Sequence, residues 1–243
     1  MAGDDGTRGM TMMLAAWIAV AAGSLTQTAS GFGFALVCSP VLVAVLGPGP
    51  AVRTVITLSC LVSALILART WRHTRVRDAL VLGASAVLLT APIAAAVHRL
   101  DARVLTLAAG LVTVASAALM ARQGARVPLD GPVGVCAVGF VSAAMNALGG
   151  LSGPAGALYA ANERWPRQAV APTLQVFGLM LNAASLATLG GPRVDWRFLP
   201  ALPVGWLLGA LVAERLPARR FRQVVLGVAA AGGAAAIARA ALG

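Results

Sequence analysis

Residues 24–36 read Ser24-Leu25-Thr26-Gln27-Thr28-Ala29-Ser30-Gly31-Phe32-Gly33-Phe34-Ala35-Leu36, a polar, glycine-broken interruption of an otherwise apolar run. A second interruption, at residues 146–158, reads Asn146-Ala147-Leu148-Gly149-Gly150-Leu151-Ser152-Gly153-Pro154-Ala155-Gly156-Ala157-Leu158. Both contain the pattern Ser-Gly-x-x-x-Ala-Leu. Unwound backbone at membrane depth is tolerated only where protein or a water-filled cavity satisfies its polar groups. We therefore expect the two interruptions to face each other and to form one transport site.

The composition predicts a membrane protein with several spanning helices. Of the 243 residues, 59% are hydrophobic and 11% are charged, which is more apolar surface than a soluble core of this size could bury. All the acidic residues lie outside the apolar runs or at their very ends. A soluble helical bundle would instead show charged residues recurring inside each periodic segment, so we set that alternative aside.

The net charge of +11 does not indicate a nucleic-acid-binding protein. Every basic residue is an arginine, and the arginines form short clusters between apolar runs without interleaved aromatic residues. They are better interpreted as topology signals.

The three cysteines show no Cys-x-x-Cys spacing, and we expect neither a metal nor a cofactor. Residues 10–22 resemble a signal-peptide core, but Asp4, Asp5 and Arg8 leave the preceding residues without net positive charge, so we expect a retained first helix.

Ten apolar segments can be drawn, and two of them are too short to cross about 30 Å of hydrocarbon as helices. The segments lie at about 11–28, 33–46, 51–68, 79–97, 104–121, 131–148, 151–161, 168–189, 198–213 and 223–238. Segments 33–46 and 151–161 are the short ones, and each follows an interruption. The sequence therefore predicts an all-α polytopic membrane protein of two repeats, 1–125 and 126–243. Each repeat has five apolar segments, a broken or re-entrant helix pair followed by three long helices.

The arginines favour an inverted arrangement of the two repeats. If each broken pair ends on the side where it began, or crosses twice, twelve arginines lie on one side of the membrane and seven on the other. If each broken pair is a single interrupted crossing, the count is ten against nine. Because arginine-rich short loops mark the cytoplasmic side, we prefer the inverted arrangement, with both chain ends outside the cytoplasm.

Helices that restart after a break present free N–H groups and the positive end of their dipole, and these attract anions. Hydroxyl and amide side chains can add hydrogen bonds to oxyanion oxygens. The candidate substrate-binding residues are Gln27, Thr28, Ser30, Gly31, Gly33, Asn146, Gly149, Gly150, Ser152, Gly153, Gln175 and Asn182. Small residues are also common in membrane helices for close packing, and a helix-to-helix hydrogen bond explains Gln175 and Asn182 equally well.

Arg53 lies three residues after Pro50, where it could draw anions to the mouth of a cavity, although extension of its side chain to the membrane interface is the simpler explanation. No Asp or Glu lies within a spanning segment, so a carboxylate proton relay or sodium site of the usual kind is not visible. Motifs of ATP-driven pumps and of intramembrane hydrolases are also missing, and we expect a protein that is not an enzyme.

The duplicated pattern resembles that of the sulfite exporter TauE/SafE family, also described as sulfonate uptake permeases. The resemblance rests on 29–36 with Pro40, followed by 50–52, and on 149–156 followed by 166–169, and it covers nearly the whole chain. It implies a bacterial inner-membrane secondary carrier for small sulfur-containing anions. Phe32 and Phe34 add bulk where the family often has small residues.

From the residues and the resemblance together, we expect a secondary transporter of small anions, sulfite or organosulfonates, that works by alternating access with the substrate between the broken helices. Its partners are then the anion and the lipid bilayer, with no nucleic acid and with a homodimer left open. One alternative is a carrier for a different organic anion or an amino acid. The other is a membrane scaffold or assembly factor that transports nothing.

Overall fold

The parts of the chain that the structure describes are mainly α-helices. A computed structural model describes residues 2–97, 99–121, 131–193 and 195–215, with isolated positions between 223 and 241. The helices in these ranges are α1 (Ala2–Ser30), α2 (Phe34–Leu46), α3 (Pro48–Thr70), α4 (Val76–Val97), α5 (Ala102–Ala121), α6 (Gly131–Gly149), α7 (Gly153–Asn162), α8 (Arg167–Thr188) and α9 (Ala201–Arg215).

The predicted all-α class is confirmed, because the described ranges contain helices and no strand. Five helical segments in them are long and apolar enough to cross a membrane, namely Gly9–Ser30, Pro48–His73, Val76–Val97, Gly131–Gly149 and Arg167–Thr188. Large apolar side chains point outward from this bundle, as at Leu88, which is 77% exposed, and Val133, which is 81% exposed. A lipid phase is the environment that would cover them.

The two helices that follow the interruptions are short, as the sequence predicts. Helix α2 has 13 residues and α7 has 10, so at 1.5 Å per residue they are about 20 Å and about 15 Å long. Neither reaches across about 30 Å of hydrocarbon.

Two of the sequence predictions fall on parts of the chain outside the described residues. The proposed boundary between the repeats, at 125 and 126, lies within residues 122–130, and the tenth apolar segment, 223–238, is described only at isolated positions. The division into repeats 1–125 and 126–243 therefore stays a prediction.

Helices α3 and α8 pack against each other in the middle of the bundle and run antiparallel. The hydroxyl of Thr57, in the first half of α3, accepts a hydrogen bond of 3.1 Å from the backbone N–H of Arg193, beyond the end of α8. The hydroxyl of Thr173, near the start of α8, accepts one of 3.0 Å from the N–H of Arg75, beyond the end of α3. Each helix thus begins where the other ends.

The remaining helices surround this central pair. Helix α1 packs along α9, and α4 packs along both α6 and α8. The crossings are close because glycines lie at the contacts: a Cβ added to Gly205 of α9 would overlap the carbonyl oxygen of Ala21 in α1, and one added to Gly139 of α6 would overlap Ser85 in α4. Small residues allow helix backbones in a membrane to approach in this way.

Candidate functional site

The first break lies between α1 and α2. Helix α1 ends at Ser30, and the backbone then passes through Gly31 with φ 83° and Gly33 with φ 109° before α2 begins at Phe34. These are left-handed conformations that glycine adopts without a steric penalty. The N–H of Gly31 donates to the carbonyl of Gln27 at 2.8 Å, which closes the last turn of α1.

The second break repeats this geometry between α6 and α7. Helix α6 ends at Gly149, Gly150 has φ 72° and its N–H donates to the carbonyl of Asn146 at 2.8 Å, and α7 begins at Gly153. Gln27 and Asn146 therefore hold equivalent positions, four residues before the first left-handed glycine. The two Ser-Gly pairs are not equivalent, because Ser30 ends α1 whereas Ser152 immediately precedes α7.

The two breaks touch each other. A Cβ placed on Gly153 would lie 2.7 Å from the Cβ of Phe32, so the first break packs directly on the start of α7. Helix α8 contacts both breaks: Nε2 of Gln175 donates to the carbonyl of Gly31 at 2.6 Å, and a Cβ on Gly178 would lie 3.6 Å from Oγ of Ser152. The expectation that the two interruptions lie close together is met.

A cavity of about 20 Å³ lies between the breaks, α3 and α8. This is room for about one water molecule, so the site is nearly closed in this conformation. None of the residues that line it carries a charged side chain. They are Gln27, Gly31, Phe32, Gly33, Phe34, Ala35, Leu36, Ser59, Ser63, Gly150, Leu151, Ser152, Gly153, Pro154, Leu174, Gln175 and Gly178.

A buried amide network forms one wall of the cavity. Nε2 of Gln27 donates to Oγ of Ser63 and to Oε1 of Gln175, both at 2.8 Å. Oγ of Ser59 donates to Oε1 of Gln27 at 3.3 Å. Because each amide has partners on neighbouring helices, the network fixes the first break to α3 and α8.

Two helix N-termini point into the same space. The first residues of α2 and of α7 line the cavity, and neither helix has a side chain that caps its first turn. The first N–H groups of a helix have no partner within the helix, and they carry the positive end of its dipole. The first turn of α7 offers fewer donors, because Pro154 has no N–H.

The structure brings seven of the twelve predicted site residues to the cavity: Gln27, Gly31, Gly33, Gly150, Ser152, Gly153 and Gln175. Three others take part in packing near the breaks and do not line it. The hydroxyl of Thr28 donates to the carbonyl of Ser24 within α1, and its Cβ faces Gly209 of α9. Ser30 donates within its own break, and Gly149 is buried beneath Leu151.

The last two predicted site residues, Asn146 and Asn182, are buried behind the cavity, at 0% and 1% exposure. Nδ2 of Asn146 donates to Oγ of Ser185 in α8 at 2.8 Å. Arg53 lies away from the cavity lining: its guanidinium donates to the carbonyls of Gly190 and Gly191, at 3.1 and 3.2 Å, in the turn after α8. These contacts tie the start of α3 to the end of α8.

Sequence reasoning missed two polar residues of the cavity, Ser59 and Ser63. They lie four residues apart on one face of α3, which contains no break, and both are buried and bonded to Gln27. The signal that could have found them is their spacing, because two hydroxyl groups at i and i+4 share one face of a helix.

Comparisons with known proteins agree with the resemblance that the breaks suggest. A family model described as "Sulfite exporter TauE/SafE" matches residues 15–236. The searches of curated proteins and of solved structures gave no match. Five helices in the described part of the chain are long and apolar enough to cross a membrane, and the chain is a multi-pass membrane protein that belongs to the sulfite exporter TauE/SafE family.

Proposed function

We propose that the protein is a secondary carrier that moves a small sulfur-containing anion, sulfite or an organosulfonate, across the bacterial inner membrane by alternating access. One observation carries this proposal: two uncapped helix N-termini, those of α2 and α7, face a single cavity that no charged side chain lines. Membership of the family supports the class of substrate.

The chemistry of the cavity suits an anion that must leave again. Each helix N-terminus contributes about half of a positive elementary charge, so the pair offsets about one negative charge without a buried arginine. The hydroxyl groups of Ser63 and Ser152, which line the cavity, can donate further hydrogen bonds. Phe32 and the leucines of the lining give an apolar surface for the carbon chain of a sulfonate.

Alternating access by two inverted repeats is supported by pairs of equivalent contacts. Helix α1 packs on α9 just as α6 packs on α4, so each repeat's first helix contacts the fourth helix of the other. The bond from Arg193 to Thr57 has its counterpart in the bond from Arg75 to Thr173. Because α3 and α8 are third in their repeats and run antiparallel, the repeats would have opposite orientations in the membrane.

Two contacts favour broken pairs that return to the side where they began. The guanidinium of Arg53, in the first turns of α3, reaches the turn after α8 at Gly190. The guanidinium of Arg75, after α3, lies 5.4 Å from the ring centre of Trp165, just before α8. If each pair were one interrupted crossing, each of these two contacts would join opposite sides of the membrane.

The proposal is tested by filling the cavity from a glycine in α8. Gly178 lies in a helix, and only Oγ of Ser152 comes within 4 Å of a Cβ placed there. A leucine at this position should therefore project into the cavity. For Gly178→Leu we expect a fall of about tenfold or more in the initial rate of sulfite uptake into proteoliposomes, since a loss of about 1.4 kcal/mol in binding already has that effect.

The control is Gly49→Leu, because a Cβ at Gly49 meets nothing within 4 Å. The control should keep the uptake rate, and both variants should keep a cooperative melting transition. Competition by sulfite and by acetate then separates a sulfur-anion carrier from a carrier of other organic anions. Full uptake by a folded Gly178→Leu protein would refute the site. If the unaltered protein neither takes up nor saturably binds an anion, it is not a carrier.

A further inference from the structure

Buried polar atoms without a partner are concentrated behind the cavity. In the part of the chain that the structure describes, five buried side-chain oxygen and nitrogen atoms have no hydrogen-bond partner. Four of them belong to three residues of α6 and α8: Oγ of Ser142, Oδ1 of Asn146, and both Oδ1 and Nδ2 of Asn182. The thiol of Cys60 in α3 lies against the Asn182 side chain and is only a weak hydrogen-bonding group. Burying a polar group unpaired costs about 1–3 kcal/mol, so such a cluster calls for a ligand.

The hydrogen bond between Asn146 and Ser185 joins the two helix faces that carry these atoms. Ser142 and Asn146 lie one turn apart on α6, and Asn182 lies one turn before Ser185 on α8. All four residues are at most 2% exposed. Asn182 also shares its face of α8 with two residues that line the cavity, at positions 175 and 178. The cluster therefore lies next to the cavity and is separate from it.

In the first half the amide at the equivalent position is fully hydrogen-bonded, so an unpartnered buried amide is not a general feature of the breaks. Gln27 occupies the place of Asn146, and both of its amide atoms have partners, on Ser59, Ser63 and Gln175. The amide oxygen of Asn146 has none. Among the described residues, every unpartnered buried side-chain atom apart from Oγ1 of Thr74 lies in the second half.

The unpartnered oxygens offer the ligands of a small cation. Two amide oxygens and one hydroxyl oxygen are neutral, and Asn146 lies in the last turn of α6, near the negative end of its dipole. Ends of broken helices coordinate sodium in this manner in secondary transporters. Without a carboxylate the site suits a monovalent ion. A water molecule in its shell can accept the hydrogen bond from Nδ2 of Asn182.

We propose that Asn146 and Asn182, with Ser142 and the end of α6, bind a sodium ion. Binding of the ion is independent of the proposed function. Its role in coupling rests on that function: an ion of charge +1 beside the cavity would offset the charge of an anion there, and it would do so most strongly in surroundings of low dielectric constant. Each ligand would then bind more tightly in the presence of the other.

The test compares melting temperatures of the detergent-purified full chain in equal concentrations of NaCl and choline chloride, without any sulfur anion. A ligand that binds the folded state alone stabilises it, and a concentration about tenfold above Kd should raise the melting temperature by about 3–6 °C. We expect this rise in NaCl. Equal melting temperatures in the two salts would overturn the proposal and leave buried water as the partner of these atoms.

Asn182→Leu removes both unpartnered atoms of that side chain, so its melting temperature should no longer depend on sodium. Asn182→Asp adds a charge and should lower the sodium concentration at half-maximal stabilisation by about tenfold or more. The control Ser116→Ala removes a hydroxyl bonded only within α5, to Val112, and should keep the response. A full sodium response in Asn182→Leu contradicts the site. Failure of anion uptake together with a retained sodium response would refute the carrier and not the cation site.

Discussion

Gln175 is the single residue that connects most of the candidate site. Its Nε2 donates to the carbonyl of Gly31 in the first break, its Oε1 accepts from Gln27, and its side chain lines the cavity beside Gly178. An amide in apolar surroundings is costly without partners, and here each of its atoms has one. Gln175 thus both holds the first break and offers part of the polar wall that an anion would meet.

Replacing Gln175 by leucine should therefore lower stability and anion binding together. The carbonyl of Gly31 and the amide of Gln27 would each lose a buried partner, which should cost about 1–3 kcal/mol of unfolding free energy. We expect the variant to melt at a lower temperature and to show no stabilisation by added sulfite. Thr188→Ala is the control, because Thr188 is exposed and bonded only to Ser185 in its own helix. Sulfite stabilisation retained in Gln175→Leu would show that the amide does not contact the anion.

The residue types show that buried amide side chains need hydrogen-bond partners, but they do not show which residues those partners are. A buried amide such as that of Gln27 or Asn146 must be paired or must contact a ligand, and Gln27 does bond to α3 and α8. It could not predict that Thr28 faces α9, since a helix face is known from spacing whereas its neighbour depends on long-range packing. For the same reason Ser63 was missed.

At the scale of elements, glycines place the breaks and also set the helix crossings. The sequence predicts the short helices because glycine and proline interrupt apolar runs, and α2 and α7 lie where expected. The sequence pattern, however, aligns Ser30 with Ser152. The helix ends instead align Ser30 with Gly149, three residues earlier. Repeated small residues can be aligned in more than one register, and only the backbone at Gly31 and Gly150 distinguishes them.

The crossing of α1 and α9 gives a prediction at this scale. A methyl group on Gly205 would overlap the carbonyl of Ala21, and one on Gly209 would lie 2.6 Å from the carbonyl of Leu25. Because these neighbours are backbone atoms, Gly205→Ala should force the helices apart and lower the free energy of unfolding by about 1–3 kcal/mol. The measurement is thermal melting in detergent. Gly9→Ala, where a Cβ meets nothing within 4 Å, should melt like the unaltered protein.

At the scale of the whole molecule, the orientation of the helices decides whether the two breaks can work as an inverted pair. The arginine counts favour returning pairs, and the contact between Arg53 and Gly190 brings together two turns that a single interrupted crossing would separate. Charge counting is a weak guide here because short helices such as α7 do not cross the hydrocarbon. The inverted arrangement therefore stays a prediction, which the long-range contacts favour.

Labelling of single cysteines separates the two arrangements. In a chain whose Cys38, Cys60 and Cys136 have been replaced, cysteines are introduced one at a time at four exposed positions at or near helix ends, Gly49, Arg72, Glu163 and Pro192. For returning pairs, a membrane-impermeant maleimide added to intact bacterial cells with a permeabilised outer membrane should label positions 49 and 192. Positions 72 and 163 should react only after the inner membrane is opened, because the arginine-rich side is cytoplasmic. If each broken pair were a single interrupted crossing, positions 49 and 163 would instead lie on one side of the membrane and positions 72 and 192 on the other. That grouping would refute both the inverted repeats and the alternating-access mechanism built on them, since α2 and α7 would then restart from the same side of the membrane.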